Sequence, residues 1–381
     1  MPSLLLFFFG VAFGVQLAYW LLLRRGIQRA RRRAPARERP AGTLPPLSVV
    51  VAARDEEEAL PALLDALRRQ THPRFEVIVV DDASGDATAQ VVRDWLATLP
   101  EDEAPSGRLV RVAAPEPPRK KHALGRGIAA ARYERLAFTD ADCAPHPGWL
   151  AALAHGHAAC DGTPPGAAGP VLVGYSPYRK ATGGAWPLRR FARYETFLAG
   201  FLTAGACGLG RPYMATGRSL SYTKTLFEKI GGFAHSRDSM SGDDDLLVQE
   251  VRRRRAAPVR HAFGPETFVE TDAPGSWRAW LRQKRRHTSA GRFYAAGPSA
   301  HLAVFNGTGA LLWLAPLALG GAGVALLAAK LAVQAAALLP AARAFEETDL
   351  LPALPLWDLG YALYNALVVP LGLAQVPEEW E

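Results

Sequence analysis

Two aspartates one residue apart, Asp140 and Asp142, are the most informative chemical feature of the sequence. They follow the apolar run Leu136-Ala-Phe138, which predicts that they lie at the end of a buried strand. Mg²⁺ and Mn²⁺ prefer oxygen ligands and take few of them from protein, the rest from phosphate and water. The pair can therefore bind one such cation, Mg²⁺ or Mn²⁺, together with a diphosphate. The spacing alone is a weak signal, because two acids on a surface loop are often only solvated.

Acidic residues also follow two earlier apolar runs. The run 47–52 ends shortly before Glu56, and the run 75–80 ends at Asp81 and Asp82. Helical patterns over 56–70, 87–99 and 123–131 alternate with these runs and with the shorter runs 109–112 and 135–138. Such alternation predicts an α/β fold with a parallel sheet and helices on both faces. Ligands bind at the carboxyl ends of the strands in such sheets, so three strands are expected to bring carboxylates to one edge.

Long apolar segments flank this region. Residues 3–23 carry no charge, residues 301–342 carry only His301 and Lys330, and residues 351–375 carry only Asp358. Since a helix needs about 20 apolar residues to cross a bilayer, we expect one N-terminal span, two spans in 301–342 separated at Gly320-Gly321, and one span in 351–375. Lys330 near the middle of a span is costly, so an interfacial helix followed by one span is the alternative for 301–342.

A block of arginines between Arg24 and Arg33 follows the first apolar segment. Basic residues beside a span stay in the cytoplasm, so we expect a multi-pass protein of the inner (cytoplasmic) membrane with its following domain in the cytoplasm. The net charge of +8 largely reflects this block and similar basic clusters at 252–255 and 284–286, and anchoring to anionic lipid explains the first block better than nucleic-acid binding does. Cysteines at 143, 160 and 207 are too scattered for a disulfide framework or a zinc site. The predicted division is a span at 1–24, a basic and Pro-rich linker at 25–46, a cytoplasmic domain at 47–290 ending in an interfacial helix, and a membrane region of two or three helices at 300–375.

From residue 47 to about residue 290 the sequence resembles the membrane-associated family 2 glycosyltransferases, with several motifs in the family's order. Val79-Val-Asp-Asp-Ala-Ser-Gly-Asp-Ala-Thr88 is similar to the nucleotide-binding turn, and Lys120-Lys-His-Ala-Leu124 is similar to a Lys-x-x-Ala-Leu segment. The opening strand departs from the family's Pro-x-x-Asn-Glu, because Ala52 and Asp55 replace Pro and Asn. The resemblance implies a GT-A fold, a Rossmann-like domain that binds a nucleotide-sugar, here a UDP-sugar donor.

The resemblance also implies roles for single residues on the donor side. Asp82, with Asp81 as the weaker candidate, would accept the uracil imide N–H, although Asp residues in such a segment are also ordinary turn formers. Glu56 would hold the ribose, with stabilisation of a helix N-terminus as the alternative. Lys120 or Lys121 would approach the diphosphate.

The metal ligands and the catalytic base are implied in the same way. Asp142 would bind the metal ion, while Asp140 would contact sugar or ribose and share the metal. Ser241-Gly-Asp-Asp-Asp-Leu-Leu247 resembles the family's Glu-Asp motif, with Asp243 and Asp244 in its two positions. An inverting transfer needs one base, and Asp244 is the candidate, with Asp243 or Asp245 as fallbacks and a helix N-cap as the alternative.

Gln283-Lys-Arg-Arg-His287 resembles the Gln-x-x-Arg-Trp motif of membrane polysaccharide synthases. Gln283 and Arg286 match, and Arg286 would neutralise the leaving diphosphate. A basic interfacial helix without a catalytic role is the alternative. His287 replaces the Trp that helps processive synthases hold the acceptor sugar, which argues against long polymers.

Together these features predict an inverting, metal-dependent glycosyltransferase that uses a UDP-sugar and acts at the membrane. Its acceptor would be a membrane lipid or a lipid-linked molecule, such as a glycolipid, a polyprenol or a hydroxylated carotenoid. A polysaccharide synthase is the second hypothesis, and an inactive membrane scaffold that keeps the fold is the third.

Overall fold

A computed structural model describes residues 2–33, 43–100, 104–159, 168–181 and 183–374. Cys160 and residues 34–42 of the predicted linker lie outside the described residues. The chain divides into two compact units. The helical unit contains residues 2–31, 183–210 and 273–374, and the sheet unit contains residues 43–181 and 211–272.

The elements follow one another in an order that matches the predicted alternation in the first half of the chain. The strands are β1 (Leu47–Ala53), β2 (Phe75–Asp81), β3 (Ser106–Arg111), β4 (Arg135–Phe138), β5 (Cys143–Pro145), β6 (Val171–Val173), β7 (Leu220–Thr223), β8 (Val259–His261) and β9 (Val269–Thr271). The helices are α1 (Pro2–Arg32), α2 (Leu60–Arg68), α3 (Thr88–Ala97), α4 (Arg119–Ala130), α5 (Trp149–Ala158), α6 (Trp186–Gly208), α7 (Lys224–Lys229), α8 (Asp245–Arg254), α9 (Trp277–Ser289), α10 (Ala296–Leu312), α11 (Ala315–Leu319), α12 (Gly321–Ala344) and α13 (Leu354–Ala374).

The main sheet in the described part of the chain has seven strands in the order β3-β2-β1-β4-β7-β6-β8. β3, β2, β1 and β4 are mutually parallel, as predicted. The prediction of a parallel sheet is wrong beyond β4, because β7 runs antiparallel to both β4 and β6. Between β6 and β7 the chain passes through α6, which belongs to the helical unit.

Both faces of the central strands are covered. Val49 and Val51 of β1 pack in one core with α2, α3 and α5, while Val50 packs in a second core with α4 and α8. Every residue of β1 is buried, which explains why the strand is a continuous apolar run and does not alternate. Gly127 lets α4 approach closely, because a Cβ there would lie 2.5 Å from Val50 Cγ1. The cores thereby fix the carboxyl ends of β1, β2 and β4 at one edge.

Three helices of the described chain are long and apolar enough to span a membrane: Ser3–Arg32, Gly321–Ala344 and Thr348–Ala374. The first helix continues through the basic block to Arg32, beyond the predicted boundary at residue 24. A break at Gly320, whose φ is +55°, separates α11 from α12 and agrees with the predicted turn. α10 has 17 residues and is not one of the three candidate spans.

Buried polar contacts explain how the helical unit tolerates charge. Lys330 forms an ion pair with Asp358, which also accepts hydrogen bonds from Trp313 Nε1 (2.8 Å) and Gln334 Nε2 (2.8 Å). Lys330 is 2% exposed, so its charge is compensated inside the unit.

Helix α9 also belongs to the helical unit. Its Trp280 is buried, with its ring centroid 5.4 Å from that of Tyr364 on α13, and its Lys284 pairs with Glu195 on α6. The predicted domain at 47–290 therefore differs from the compact units at two places, residues 183–210 and residues 273–289.

Candidate functional site

The carboxyl ends of β1, β2 and β4 carry the acids that the sequence predicted there. These strands are parallel neighbours, so Glu56, Asp82 and the pair Asp140 and Asp142 follow strands that end at the same edge. Burial, followed by the charges of Asp142 and Asp140, raises the pKa of Glu56 to about 7. Glu56 is therefore close to the pair, in a region with an excess of negative charge.

Asp82 is fully buried and has one carboxylate oxygen without a partner. Its Oδ2 accepts a hydrogen bond from Arg119 Nε at 2.8 Å, and Arg119 Nη2 donates to its backbone carbonyl at 2.7 Å. Its Oδ1 is buried and has no hydrogen-bond partner among the residues that the structure describes. An unpaired buried oxygen is costly, so a ligand N–H that reached it would be bound favourably.

Asp81, by contrast, stabilises the turn itself. Its Oδ2 pairs with Arg111 Nε at 3.1 Å and its Oδ1 accepts from the backbone N–H of Ser84 at 3.0 Å. Asp55 supports the same turn by accepting from the N–H of Gly85 at 2.7 Å. Asp81 therefore stabilises the turn, whereas Asp82 keeps one carboxylate oxygen available to a ligand.

Lys120 connects the pair on β4 to the acids before α8. Its Nζ lies 3.0 Å from Asp140 Oδ1 and 3.4 Å from Asp243 Oδ2. Burial disfavours the charged lysine, but Asp140 and Asp243 outweigh it and raise its pKa. Lys120 thus keeps a positive charge between two carboxylates that are distant in the sequence.

Lys121 occupies a different environment. Its Nζ donates to three backbone carbonyls, at 2.8 Å, 2.7 Å and 2.9 Å, which belong to Ser236, Ser239 and Ser241. Burial lowers its pKa to about 8. Lys121 therefore holds the loop that leads to the catalytic-acid candidates.

Asp244 is held in one orientation by two backbone donors. Its Oδ2 accepts from the N–H of Gly217 at 2.8 Å, and its Oδ1 accepts from the N–H of Asp245 at 2.7 Å at the start of α8. Burial, then the charge of Asp243, raises its pKa to about 6, against the opposing effect of Lys120. The helix N-cap and a base near neutral pH are therefore compatible roles for the same carboxylate.

A cleft in the sheet unit is lined by charged groups from α4, from the end of β4 and from the segment before α8. Its polar lining includes Lys120, Asp140, Gly217 and Asp243. Its remaining lining is mainly apolar and consists of Leu124, Phe138, Thr139, Leu220, Tyr222 and Phe233. Asp140 and Asp243 thus share one cleft with a lysine between them.

Asp142 is exposed and is oriented by Thr271, a residue that the motifs did not predict. Thr271 Oγ1 donates to Asp142 Oδ2 at 3.1 Å, across the antiparallel pair of β5 and β9. Among the described residues no group of three or more His, Cys, Asp or Glu is arranged to hold a metal ion. Two carboxylates beside a third acid with a raised pKa nevertheless suit a divalent cation that takes its other ligands from phosphate and water.

Gln283 and Arg286 are half-buried on α9 of the helical unit, and His287 is exposed. Their predicted contact with a diphosphate stays a prediction. The sheet unit itself contains all the other predicted site residues.

Comparisons with known proteins agree with this fold. Residues 48–211 match the family model of glycosyl transferase family 2. Over 116 residues the chain is 34% identical to glycosyltransferase AglE of Haloferax volcanii, covering 28% of this chain and 34% of that protein. Over 98 residues it is 36% identical to the 4,4'-diaponeurosporenoate glycosyltransferase of Staphylococcus aureus (strain bovine RF122 / ET3-1), covering 25% of this chain and 24% of that protein.

A solved structure extends the comparison to the whole chain. The mannosyltransferase PcManGT from Pyrobaculum calidifontis, in complex with GDP-Man and Mn²⁺, matches with a TM-score of 0.54 and 21% identity over 96% of this chain and 99% of that one. This likeness concerns the fold, while the chain spans only 34% and 24% of the length of the two curated relatives. Residues 48–211 are thus similar to glycosyl transferase family 2, and the fold is the GT-A fold that the resemblance implied.

Proposed function

We propose that the protein is an inverting glycosyltransferase that moves a sugar from a UDP-sugar to a lipid-like acceptor. The observation that carries the proposal is the set of carboxylates at one edge of the sheet unit, each in a different environment. Asp82 has an open buried oxygen, Asp140 and Asp142 form an acidic pair, and Asp244 is held by two backbone N–H groups.

The nucleotide would bind at the end of β2. Asp82 Oδ1 accepts the imide N–H of uracil, which completes the bonding of this buried carboxylate. Glu56, after β1, accepts from a ribose hydroxyl, and a carboxyl with a pKa of about 7 can also donate one. Arg119 orients Asp82 through its bond to Oδ2.

The diphosphate would lie at the end of β4. Asp142, with Asp140, would hold Mg²⁺ or Mn²⁺, and the bound cation would neutralise charge on the leaving diphosphate. Lys120 adds a positive charge beside Asp140. The Mn²⁺ in the complex of the Pyrobaculum mannosyltransferase supports metal use by this chain, without deciding which metal.

The acceptor would approach from the side of Asp244. As the acceptor oxygen attacks the anomeric carbon, its proton passes to Asp244 and the nucleoside diphosphate departs from the opposite face, which inverts the configuration. The N–H groups of Gly217 and Asp245 orient the base during this step. A pKa of about 6 leaves Asp244 mostly ionised at neutral pH while it remains basic enough to accept a proton.

The acceptor class follows from the helices. Three helices long and apolar enough to span a membrane support an acceptor that resides in the bilayer, such as a glycolipid, polyprenol or hydroxylated carotenoid. The Staphylococcus relative, which is named for a carotenoid acid, supports the same class. The arginines near the end of α1 support an inner-membrane protein with its sheet unit in the cytoplasm.

The test uses the full-length protein in nanodiscs with Mn²⁺, a membrane lipid extract and radiolabelled sugars supplied as several UDP-sugars and as GDP-mannose. We expect one labelled lipid product with a UDP-sugar, lost in Asp244→Asn and kept in the control Asp94→Asn on the exposed face of α3. A ladder of products would identify a polysaccharide synthase. No turnover with any donor would favour the inactive scaffold, and turnover with GDP-mannose alone would refute the uracil assignment.

A further inference from the structure

Arg218 directly follows Gly217, which lines the cleft, and none of the predicted roles includes it. It sits in the 3₁₀ turn Gly217–Ser219, between Gly217, whose N–H holds Asp244, and Ser219, whose hydroxyl accepts from Trp149 Nε1 at 3.2 Å. Both neighbours are therefore fixed. The turn leaves the Arg218 side chain half-buried with its guanidinium over the ring of Tyr178, 5.5 Å from the centroid.

Arg218 has no ion-pair partner in the described part of the chain. Other arginines with low exposure here do have one: Arg193 pairs with Glu347 and Asp349, and Arg119 pairs with Asp82. A partly desolvated guanidinium without a carboxylate is unfavourable unless another anion compensates it. The N–H edge of Arg218 is thus available to a ligand.

The same contacts connect Arg218 to the candidate metal ligand Asp142. Tyr178 forms a β-bridge with Thr271, and the Thr271 hydroxyl donates to Asp142 Oδ2 at 3.1 Å. Burial acts to lower the pKa of Arg218, but the charges of Tyr178 and Cys143, followed by those of Asp142 and Asp140, raise it. The guanidinium of Arg218 is therefore stacked on an aromatic ring and lies within electrostatic reach of the two candidate metal ligands.

We infer that Arg218 binds a phosphate oxyanion in this site through its planar N–H edge, and that the oxyanion belongs to the diphosphate of the donor. This inference rests on the proposed function. Stacking on Tyr178 leaves the edge of the guanidinium free, and that edge matches phosphate geometry in a way that a lysine does not. The acidic pair beside Arg218 favours the donor as the source, whereas a phosphate on a lipid acceptor would present the same chemistry.

The test measures binding, which does not depend on turnover. The full-length protein with Mg²⁺ is titrated with UDP, with uridine and with inorganic pyrophosphate by calorimetry. We expect Arg218→Gln to weaken UDP and pyrophosphate at least ~10-fold while uridine is unchanged, and Arg218→Lys to recover only part of the loss. Arg132→Gln is the matched control, because Arg132 also lies over a tyrosine ring (Tyr133, 5.6 Å) but is exposed.

Each outcome decides a separate point. Unchanged UDP and pyrophosphate binding, with a KM for a polyprenyl phosphate acceptor raised at least ~10-fold, assigns the oxyanion to the acceptor and keeps the role of Arg218. Unchanged binding and unchanged KM values overturn the inference. If the wild type binds pyrophosphate through Arg218 but does not bind UDP, the proposed donor fails and Arg218 stands. Arg218→Lys and a thermal melt of both variants separate a lost contact from a lost fold.

Discussion

Replacing Asp244 by asparagine tests the proposed mechanism most directly. The change removes the charge and the ability to accept a proton. An asparagine in the same rotamer still accepts from the N–H of Gly217 through its one oxygen, whereas its amide nitrogen meets the N–H of Asp245 less favourably. The geometry of the turn and of the start of α8 should therefore largely persist.

The size of the effect follows from the role. A positioned general base contributes about 10²–10⁴ in rate, so we expect kcat to fall roughly 10³-fold with the KM for the UDP-sugar nearly unchanged. In the wild type the pKa of about 6 predicts that kcat is flat above pH 7 and falls roughly tenfold per pH unit below 6. The assay is transfer of radiolabelled sugar to lipid extract by nanodisc-embedded protein between pH 5 and pH 8.

The same substitution that lowers kcat should raise the stability of the folded protein at high pH. The folded-state pKa of Asp244 is raised from 3.8 to about 6, so its contribution to stability is fully present below about pH 4 and is lost as the pH rises through 6. Asparagine does not ionise. We therefore expect Asp244→Asn to melt at a higher temperature than the wild type at pH 8 and at a similar temperature at pH 4.

Asp243→Asn is the matched control for both measurements. The charge of Asp243 raises the pKa of Asp244, so its removal should shift the acidic limb of the kcat profile to lower pH while most of the activity at pH 8 remains. The assignment of the base would be refuted by Asp244→Asn retaining more than about a tenth of the wild-type kcat. A larger loss in Asp243→Asn than in Asp244→Asn would refute it as well.

Three further substitutions test other parts of the structure. Asp142→Asn should reduce the stimulation of sugar transfer by Mn²⁺ at least ~100-fold, measured in a titration with the metal, while the affinity for uridine is unchanged. Lys121→Met leaves three backbone carbonyls without their donor and should destabilise the protein by about 3 kcal/mol, seen as a lower melting temperature. Lys330→Leu leaves Asp358 buried without its cation and should cost about 3–5 kcal/mol in the same assay, whereas Lys330→Leu with Asp358→Leu should be clearly milder.

The strand ends could be predicted because burial on both faces of a strand requires a local run of mainly apolar residues in the sequence. β1 and β2 are buried at every position, so each appears as a largely apolar run, interrupted only by Ser48 in β1 and Glu76 in β2, that stops where the acids begin. Parallel pairing then brings those ends to one edge whatever the details of the loops. The placement of Glu56, Asp82 and Asp140 therefore needed only local information.

Contacts between distant segments could not be predicted in this way. Lys120 and Lys121 are adjacent on α4, so their side chains leave the helix about 100° apart, and only the packing of a loop more than a hundred residues later decides which one faces the cleft. Thr271 and Arg218 likewise gain their significance from the pairing of β5 with β9 and from the ring of Tyr178. No spacing rule in the sequence connects them to Asp142.

The segment 160–215 is rich in Gly, Pro and Ala, and its elements could not be assigned from the sequence for a different reason. Its glycines resemble loop residues, yet Gly205 and Gly208 lie in α6 and make close contact with α1. A Cβ at Gly208 would lie 1.8 Å from the carbonyl oxygen of Gly26, so the small residues permit helix packing. Composition alone does not distinguish these two uses of glycine.

The interruption of the sheet unit by α6 has a consequence for synthesis of the chain. β4 (Arg135–Phe138) pairs with β7 (Leu220–Thr223), and α6 (Trp186–Gly208) lies between them in the sequence. The ribosome therefore completes a helix of the other unit before it supplies the strand that covers the open edge of β4. A nascent chain paused before residue 211 exposes that edge and lacks Asp244, so neither the sheet nor the reaction can be completed until α6 has left the ribosome. A soluble fragment made by trimming only the chain ends would still carry α6, and removing it requires joining residue 181 directly to residue 211.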